Sequence, residues 1–454
     1  MEYITVKDAA KKWGITVRQV QSVCENVRVE GAIRMGKMWL IPRDSSRPID
    51  GRTKAAKLRR RMVQGSDNLM GNNYEIRLYD TLLLTFELTT TELGGWTANI
   101  IAMPGERKLF PLEMELTGEG IMRWLERRVI PKNRTFVEEI LRSFGLTLGN
   151  TKGIIDVCKG LSLNDSYWIV PTGFEGKFSD FNLYENRFSE ILSLVAYTGV
   201  TQSDAMFSTS PELTTNGMLP KAWRFIENDG IFLYKGGTSG FANTGKEPYS
   251  EFYASQVAAA MNIDAVHYEL ENWKGILASK CKLFTNIDTA FIPIGRIVKS
   301  GGIVAVVNHY DNLGEKYADA VRDMLVFDAL VYNEDRHFGN FGLLRDNKTG
   351  NIISPAPIFD NGISLFNYAM KNDYAKLDDY ALTRLPAYGN ATFEGICQSF
   401  MTARQVEKLR KMINFSFKRH PKINLPDDHL TAIEKHLRKR ALQLIGLFKK
   451  TIYV

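Results

Sequence analysis

Hydrophobic positions change period several times along this chain, and the changes divide it. Near the start Val6, Ala9, Ala10 and Trp13 recur at helical spacing, with Thr5 and Asp8 placed as a cap and Gly14 as a stop. Thr16 and Gln19 then open a second helix that turns Val17, Val20, Val23 and Cys24 inward. Residues 32–42 read instead as two strands around Gly36. A polar stretch rich in Arg, Lys, Ser, Gly and Asn fills residues 43–73, partly helical at 54–63. From Tyr74 the pattern becomes globular. Strands are expected within 76–88 and 96–103, helices over 118–127 and 135–144, and a loop over 161–168 before a strand at 169–170. Further on, a hairpin turns at residues 227–230 and ends on Lys235, and a helix covers 249–261. Two strands are expected within 284–297, then a long apolar helix over 317–331. A second hairpin turns at 347–350 and carries the chain to Asp360.

Composition narrows the reading. With 454 residues, 44% hydrophobic and 24% charged, the chain can build several cores. No apolar run reaches membrane-span length and the start lacks a signal-peptide pattern, so a cytoplasmic protein without membrane contact is expected. Four scattered cysteines argue against a disulfide framework or zinc site. The net charge of +7 is unevenly placed. Residues 1–65 hold 15 Lys and Arg against 6 Asp and Glu, and the rest of the chain is net −2. A basic end on a near-neutral body points to nucleic acid; a solvated linker is the plainer alternative.

The candidate chemistry lies late in the chain. Asp335 and Asn340 are five positions apart in Asn333-Glu-Asp-Arg-His-Phe-Gly-Asn340, and Asp360 follows in Ile358-Phe-Asp-Asn-Gly362. The kinase catalytic loop uses the same Asp-to-Asn spacing, with a second Asp on the metal. Phosphoryl transfer from ATP needs a carboxylate near the acceptor hydroxyl, and an amide and a carboxylate holding Mg2+. Upstream, Lys235 ends an apolar strand, where an unpaired ammonium is costly; Glu251 on the next helix is its candidate partner. His337 reads as an orienting or nucleotide-contacting residue. The segment Gly240–Lys246 imitates a Walker loop, but Glu247 stands where the magnesium-binding hydroxyl belongs, so it is read as a connector. The polar stretch 207–217 is the expected phosphate loop, with Ser208 and Ser210 as its hydroxyls.

Two resemblances follow from these residues. Residues 1–45 resemble the winged helix-turn-helix of the excisionase and MerR-like families, through the Ala-Ala helix, the Gly turn and the Trp39-Leu-Ile-Pro42 wing. That resemblance implies DNA binding: Arg18, Gln19, Gln21 and Ser22 on bases or phosphates, and Arg34 and Lys37 on phosphates. Residues 185–450 resemble the HipA-like serine/threonine kinases through the Asp335, Asn340 and Asp360 motifs, Lys235 and Glu251. The implied fold is α+β: a two-lobed protein-kinase-like (HipA and PI3/4-kinase-like) fold with a small N-terminal winged helix-turn-helix domain and an accessory α/β module. The implied roles are Asp335 as catalytic base, Lys235 on phosphates, and Asn340 and Asp360 on Mg2+, with Glu251 positioning Lys235. The family further implies a toxin of a toxin–antitoxin system that autophosphorylates. Its expected partners are operator DNA of its own gene, an antitoxin, a second copy of the chain, and a protein substrate such as an aminoacyl-tRNA synthetase or other translation factor. The expected units are 1–52 (DNA-binding), 53–73 (basic linker), 74–180 (accessory), 181–300 (N-lobe) and 301–454 (C-lobe). A nucleotide-sensing transcription regulator and a small-molecule or lipid kinase stay open as alternatives.

Overall fold

A computed structural model of the chain describes residues 3–25, 29, 32–35, 38–43, 72–91, 95–200, 210–389 and 391–452. Ser208, Lys37 and the basic linker up to residue 71 lie outside the described residues.

At the N-terminus, helices Val6–Trp13 and Val17–Glu25 meet at Gly14, whose φ of 63° is the left-handed turn that glycine takes at little cost. Thr5 and Asp8 close a reciprocal cap, Asp8 N donating to Thr5 Oγ1 at 3.3 Å and Thr5 N to Asp8 Oδ2 at 3.2 Å. A three-stranded antiparallel sheet, in the order Tyr3–Thr5, Met38–Pro42, Ile33–Met35, completes a small core around Ala9, Trp13, Val20 and Ile41.

The next unit is a four-stranded antiparallel sheet in the order Trp96–Ala102, Thr81–Thr90, Asn73–Leu78, Tyr167–Pro171. Helix Gly118–Glu126 covers it through Ile121, Trp124 and Leu125. A second four-stranded antiparallel sheet runs Tyr268–Trp273, Ile276–Lys282, Gly230–Lys235, Lys221–Ile226. Helix Glu247–Ala260 lies on it. The third sheet, Thr289–Pro293, Gly342–Asp346, Ile352–Pro355, borders a helical body. Helix Glu315–Val331 runs through that body and is apolar nearly all round its last two turns, as a helix buried on every side must be. The fold is thus α+β. Among the described residues no helix is long and apolar enough to cross a membrane.

The structure corrects the sequence reading in several places. Residues 284–297 hold one strand, Thr289–Pro293, followed directly by the short helix Ile294–Ile297. Ile292 and Pro293 pair with Leu343 and Gly342, so partner strands rather than local pattern settle the boundary. The strand expected at 169–170 begins at Tyr167, inside the expected loop, because Tyr167 and Trp168 pair with Leu78 and Arg77. The hairpin Tyr268–Trp273 and Ile276–Lys282 has charged residues among its apolar ones, which hid its period. In the basic stretch 127–134, Arg128 and Arg134 are buried on Asp165 and Glu212. Local sequence cannot show that, because both carboxylates arrive from far along the chain.

Candidate active site

Helix Glu315–Val331 ends on Tyr332 in the left-handed conformation, with φ of 54°. The following loop is held by Arg336, which is fully buried. Its guanidinium pairs with Asp328 at 3.0 Å on the preceding helix and donates to Asn340 O at 3.1 Å. It also donates to Phe359 O and Asn361 Oδ1. One side chain therefore ties the Asp335–Asn340 loop to the residues on either side of Asp360. Backbone bonds repeat the tie: Glu334 N donates to Ile363 O at 3.0 Å and Leu365 N to Val331 O at 2.8 Å. Asp360 itself has φ of 55°, and its N–H donates to Tyr268 Oη at 3.1 Å. A non-glycine residue in that region costs free energy that the surroundings must supply, and such residues cluster at functional sites.

Lys235 reaches this loop from the second sheet. Its Nζ lies 2.7 Å from Glu251 Oε1 and also pairs with Asp360 Oδ1. Glu251 is buried, and its other oxygen accepts from Ser279 Oγ, the residue directly across the sheet from Lys235. Burial alone would lower the Lys235 ammonium, but Asp360 and Glu251 more than reverse it and hold it well above its ordinary value. Burial pushes the Glu251 carboxyl up against the pull of Lys235. For Asp360 the burial penalty is outweighed by Lys235 and then Lys221, and its carboxyl falls to about 2. It is thus a carboxylate at any physiological pH.

Asp335 is exposed, with its backbone N–H on Asn333 Oδ1 at 3.1 Å. Desolvation by the surrounding protein pushes its carboxyl up and the Asp360 charge adds to this, while His337 and Lys235 pull it down. Asn340 Nδ2 donates to Asp335 O at 3.0 Å, which leaves its amide oxygen as the atom available to a cation. The exposed His337 accepts from Gly339 N at 3.0 Å through Nδ1, so its ring braces the turn between Asp335 and Asn340. An amide oxygen and a carboxylate are the hard-oxygen donors magnesium takes, with water and phosphate completing its shell. Among the described residues no group of three His, Cys, Asp or Glu is placed to hold a metal by itself.

A second lysine also escaped the sequence reading. Lys221 sits directly opposite Lys235 in the paired strands and is buried. Burial, then the Lys235 charge, lower its ammonium to about 7. Its Nζ donates to Asn216 O at 2.8 Å and packs over Gly217, whose φ of 90° is a conformation that favours glycine. Gly236 N donates to Pro220 O at 2.8 Å, which lays residues 216–221 beside the end of the Lys235 strand. The usable signal was a lysine two strands' pairing from another lysine, preceded by Asn-Gly. Ser210 has a different place: it is buried and caps a short turn, accepting from Glu212 N at 3.3 Å. The Walker-like segment is folded back by Glu247, which accepts from Thr238 Oγ1 at 2.6 Å and from Thr238 N at 3.2 Å. Glu247 is thereby committed, and the loop makes no free phosphate cradle around it.

Of the expected DNA-facing residues, Arg18, Gln19, Gln21 and Ser22 are exposed on helix Val17–Glu25, and Arg34 lies on strand Ile33–Met35. Gln19 Oε1 accepts from Thr16 N at 2.9 Å, so only its amide nitrogen remains for another contact.

No protein-family model and no curated protein matches this sequence. Among solved structures, a chain of the Shewanella oneidensis MR-1 toxin–antitoxin system HipA, HipB and operator DNA complex aligns over 84% of this chain and 99% of its own, at a TM-score of 0.52 and 14% identity. The Helicobacter pylori proinflammatory kinase CtkA aligns over 51% of this chain and 94% of its own, at a TM-score of 0.39 and 18% identity. The α+β fold of this chain thus resembles the HipA fold at low identity.

Proposed function

We propose that this chain is an ATP- and Mg2+-dependent serine/threonine protein kinase of HipA-like type, joined to an N-terminal DNA-binding domain. The observation that carries the reading is one charge arrangement: Lys235 shared between Glu251 and Asp360, with Asp335 and Asn340 on the loop that Arg336 ties to the residues flanking Asp360.

In this reading Lys235 leaves Asp360 when nucleotide enters and meets the phosphates, while Glu251 keeps it in place. Asn340 and Asp360 would hold Mg2+, which when bound neutralises charge on the transferring phosphate. Asp335 orients the acceptor hydroxyl and takes its proton. A carboxyl raised by desolvation and by the Asp360 charge is a stronger proton acceptor than an ordinary carboxylate, which suits that role. Lys221 adds a second cation next to Lys235, and its ammonium becomes fully charged once phosphate oxygens face it. The exposed residues Arg18, Gln21 and Ser22, with Arg34 on the adjoining strand, form the proposed duplex contact.

The test is label transfer from ATP by purified protein. Asp335→Ala is expected to abolish transfer and leave duplex binding intact; undiminished label incorporation in that variant would sink the kinase reading. Removal of residues 1–52 is expected to eliminate salt-sensitive duplex binding and spare transfer. Retained duplex binding would reject the DNA-binding assignment. Phosphosite mapping in a cell extract would then identify the acceptor, whether an aminoacyl-tRNA synthetase, another translation factor or the chain itself.

A further inference from the structure

Residues 74–200 contribute no side chain to the set of Lys235, Glu251, Asp335, Asn340 and Asp360, yet they grip the segment next to Lys221. Arg134 and Glu212 are a pair with no exposed side-chain surface. The Arg134 guanidinium also donates to three carbonyls of one loop: Glu212 O at 2.8 Å, Lys221 O at 2.9 Å and Thr215 O at 3.4 Å. Thr135 adds two more bonds, its N–H and its hydroxyl both donating to Met218 O, at 2.8 and 2.7 Å. Thr214 Oγ1 donates to Leu161 O at 2.8 Å. The remaining oxygen of Glu212 accepts from Trp223 N at 2.7 Å, on the strand that Lys221 begins.

We propose that Arg134, seconded by Thr135, is a positioning residue: it sets the path of loop 212–221 and so holds Asn216, Gly217 and Lys221 where nucleotide phosphates would lie. The proposal rests on the kinase reading. Its physical basis is the shape of the guanidinium. A planar fork can bind a carboxylate and several carbonyls at fixed angles, which a lysine cannot reproduce. A loop with a left-handed glycine and few internal bonds needs such an outside brace, because its own conformational freedom is large. The brace comes from a segment some eighty residues earlier in the chain, so it acts on the Lys221 end of the site from outside it.

The consequence is specific to phosphates. Loosening loop 212–221 should weaken what contacts the phosphate chain and leave the adenosine end untouched. The experiment measures binding of MgATP and of adenosine by calorimetry to the full chain, for wild type, Arg134→Lys and Thr135→Val. Expected are a roughly tenfold loss of MgATP affinity in Arg134→Lys and a two- to threefold loss in Thr135→Val, with adenosine affinity unchanged in both. Equal loss of both ligands would mean that Arg134 only supports the fold, and no loss of MgATP affinity would mean that the loop does not meet phosphate; either overturns the proposal. Thr135→Val keeps the buried ion pair, so the test survives if Arg134→Lys does not fold. Wild-type protein that binds no MgATP would instead overturn the kinase reading, and the proposal with it.

Discussion

Arg128 beside Asp165 and Lys235 beside Asp360 are both cations buried against carboxylates, yet they are held differently. Arg128 meets Asp165 through two parallel bonds of 2.8 Å and spends its other donors on Gly160 O at 2.7 Å and Tyr167 O at 3.0 Å. Trp124 covers its face at 4.5 Å. Both partners are nearly closed to solvent, and nothing in the pair is left to exchange. Lys235 is shared between two carboxylates, and one of them, Asp360, keeps 33% of its side chain exposed. An ammonium has no fixed plane, so it can pass from Asp360 to another anion without breaking a geometry. A buried charge alone therefore does not mark a functional site. The two pairs differ in the partner: Asp360 keeps exposed surface while Asp165 is nearly sealed.

That contrast can be broken by substitution. The largest effect is expected from Asp335→Ala, about a thousandfold in phosphate transfer, or roughly 4 kcal/mol on the barrier, measured by label incorporation. Because Asp335 is exposed, the unfolding midpoint should hardly move. Arg128→Met should do the opposite. It strands a buried Asp165 carboxylate and should cost about 3–4 kcal/mol in denaturant unfolding, with adenosine affinity retained by the folded fraction. If Arg128→Met were as stable as wild type, the closed pair would have no structural task and the contrast would fail.

Lys221→Met should combine the two behaviours. Removing a buried, like-charged neighbour of Lys235 should stabilise the fold at neutral pH by about 1–3 kcal/mol while lowering MgATP affinity. The sign with pH follows from its lowered ammonium. Between about pH 7 and the ordinary lysine value the unfolded chain binds more protons than the folded one, so this residue makes stability rise with pH across that window. The advantage of Lys221→Met should therefore be greatest below pH 7 and fade above it. The smallest effect concerns Asp360. Its carboxyl is depressed to about 2, so its contribution is present above the ordinary carboxylate range near pH 4 and is lost as pH falls through 2. Acid titration of unfolding should show a loss of about 1 kcal/mol after solvent screening, absent in Asp360→Asn.

Legibility varied along the chain for identifiable reasons. Helices Val6–Trp13 and Val17–Glu25 could be read because their caps, Thr5 with Asp8 and Thr16 with Gln19, lie within one turn. The hairpin ending on Lys235 was marked by its Asn-Asp-Gly turn. The burial of Ser210 could not be read from its neighbours, since a run of Ser and Thr looks alike whether it caps a buried turn or faces solvent. Arg336 was passed over because its four partners, Asp328, Asn340, Phe359 and Asn361, are on three separate segments.

The sequence by itself determined the local matters: the capped N-terminal helices, the hairpin marked by its Asn-Asp-Gly turn, where the positive charge collects, and the five-residue step from Asp335 to Asn340. These depend on neighbours within a few positions, and periodicity and turn chemistry report them directly. Only the tertiary structure decided which charges are shared and which are sealed. Lys235 meets Asp360 across 125 residues, and Arg134 meets Glu212 across 78. Lys221 faces Lys235 through strand register. Such pairings are set by chain return and register, and no local pattern encodes them.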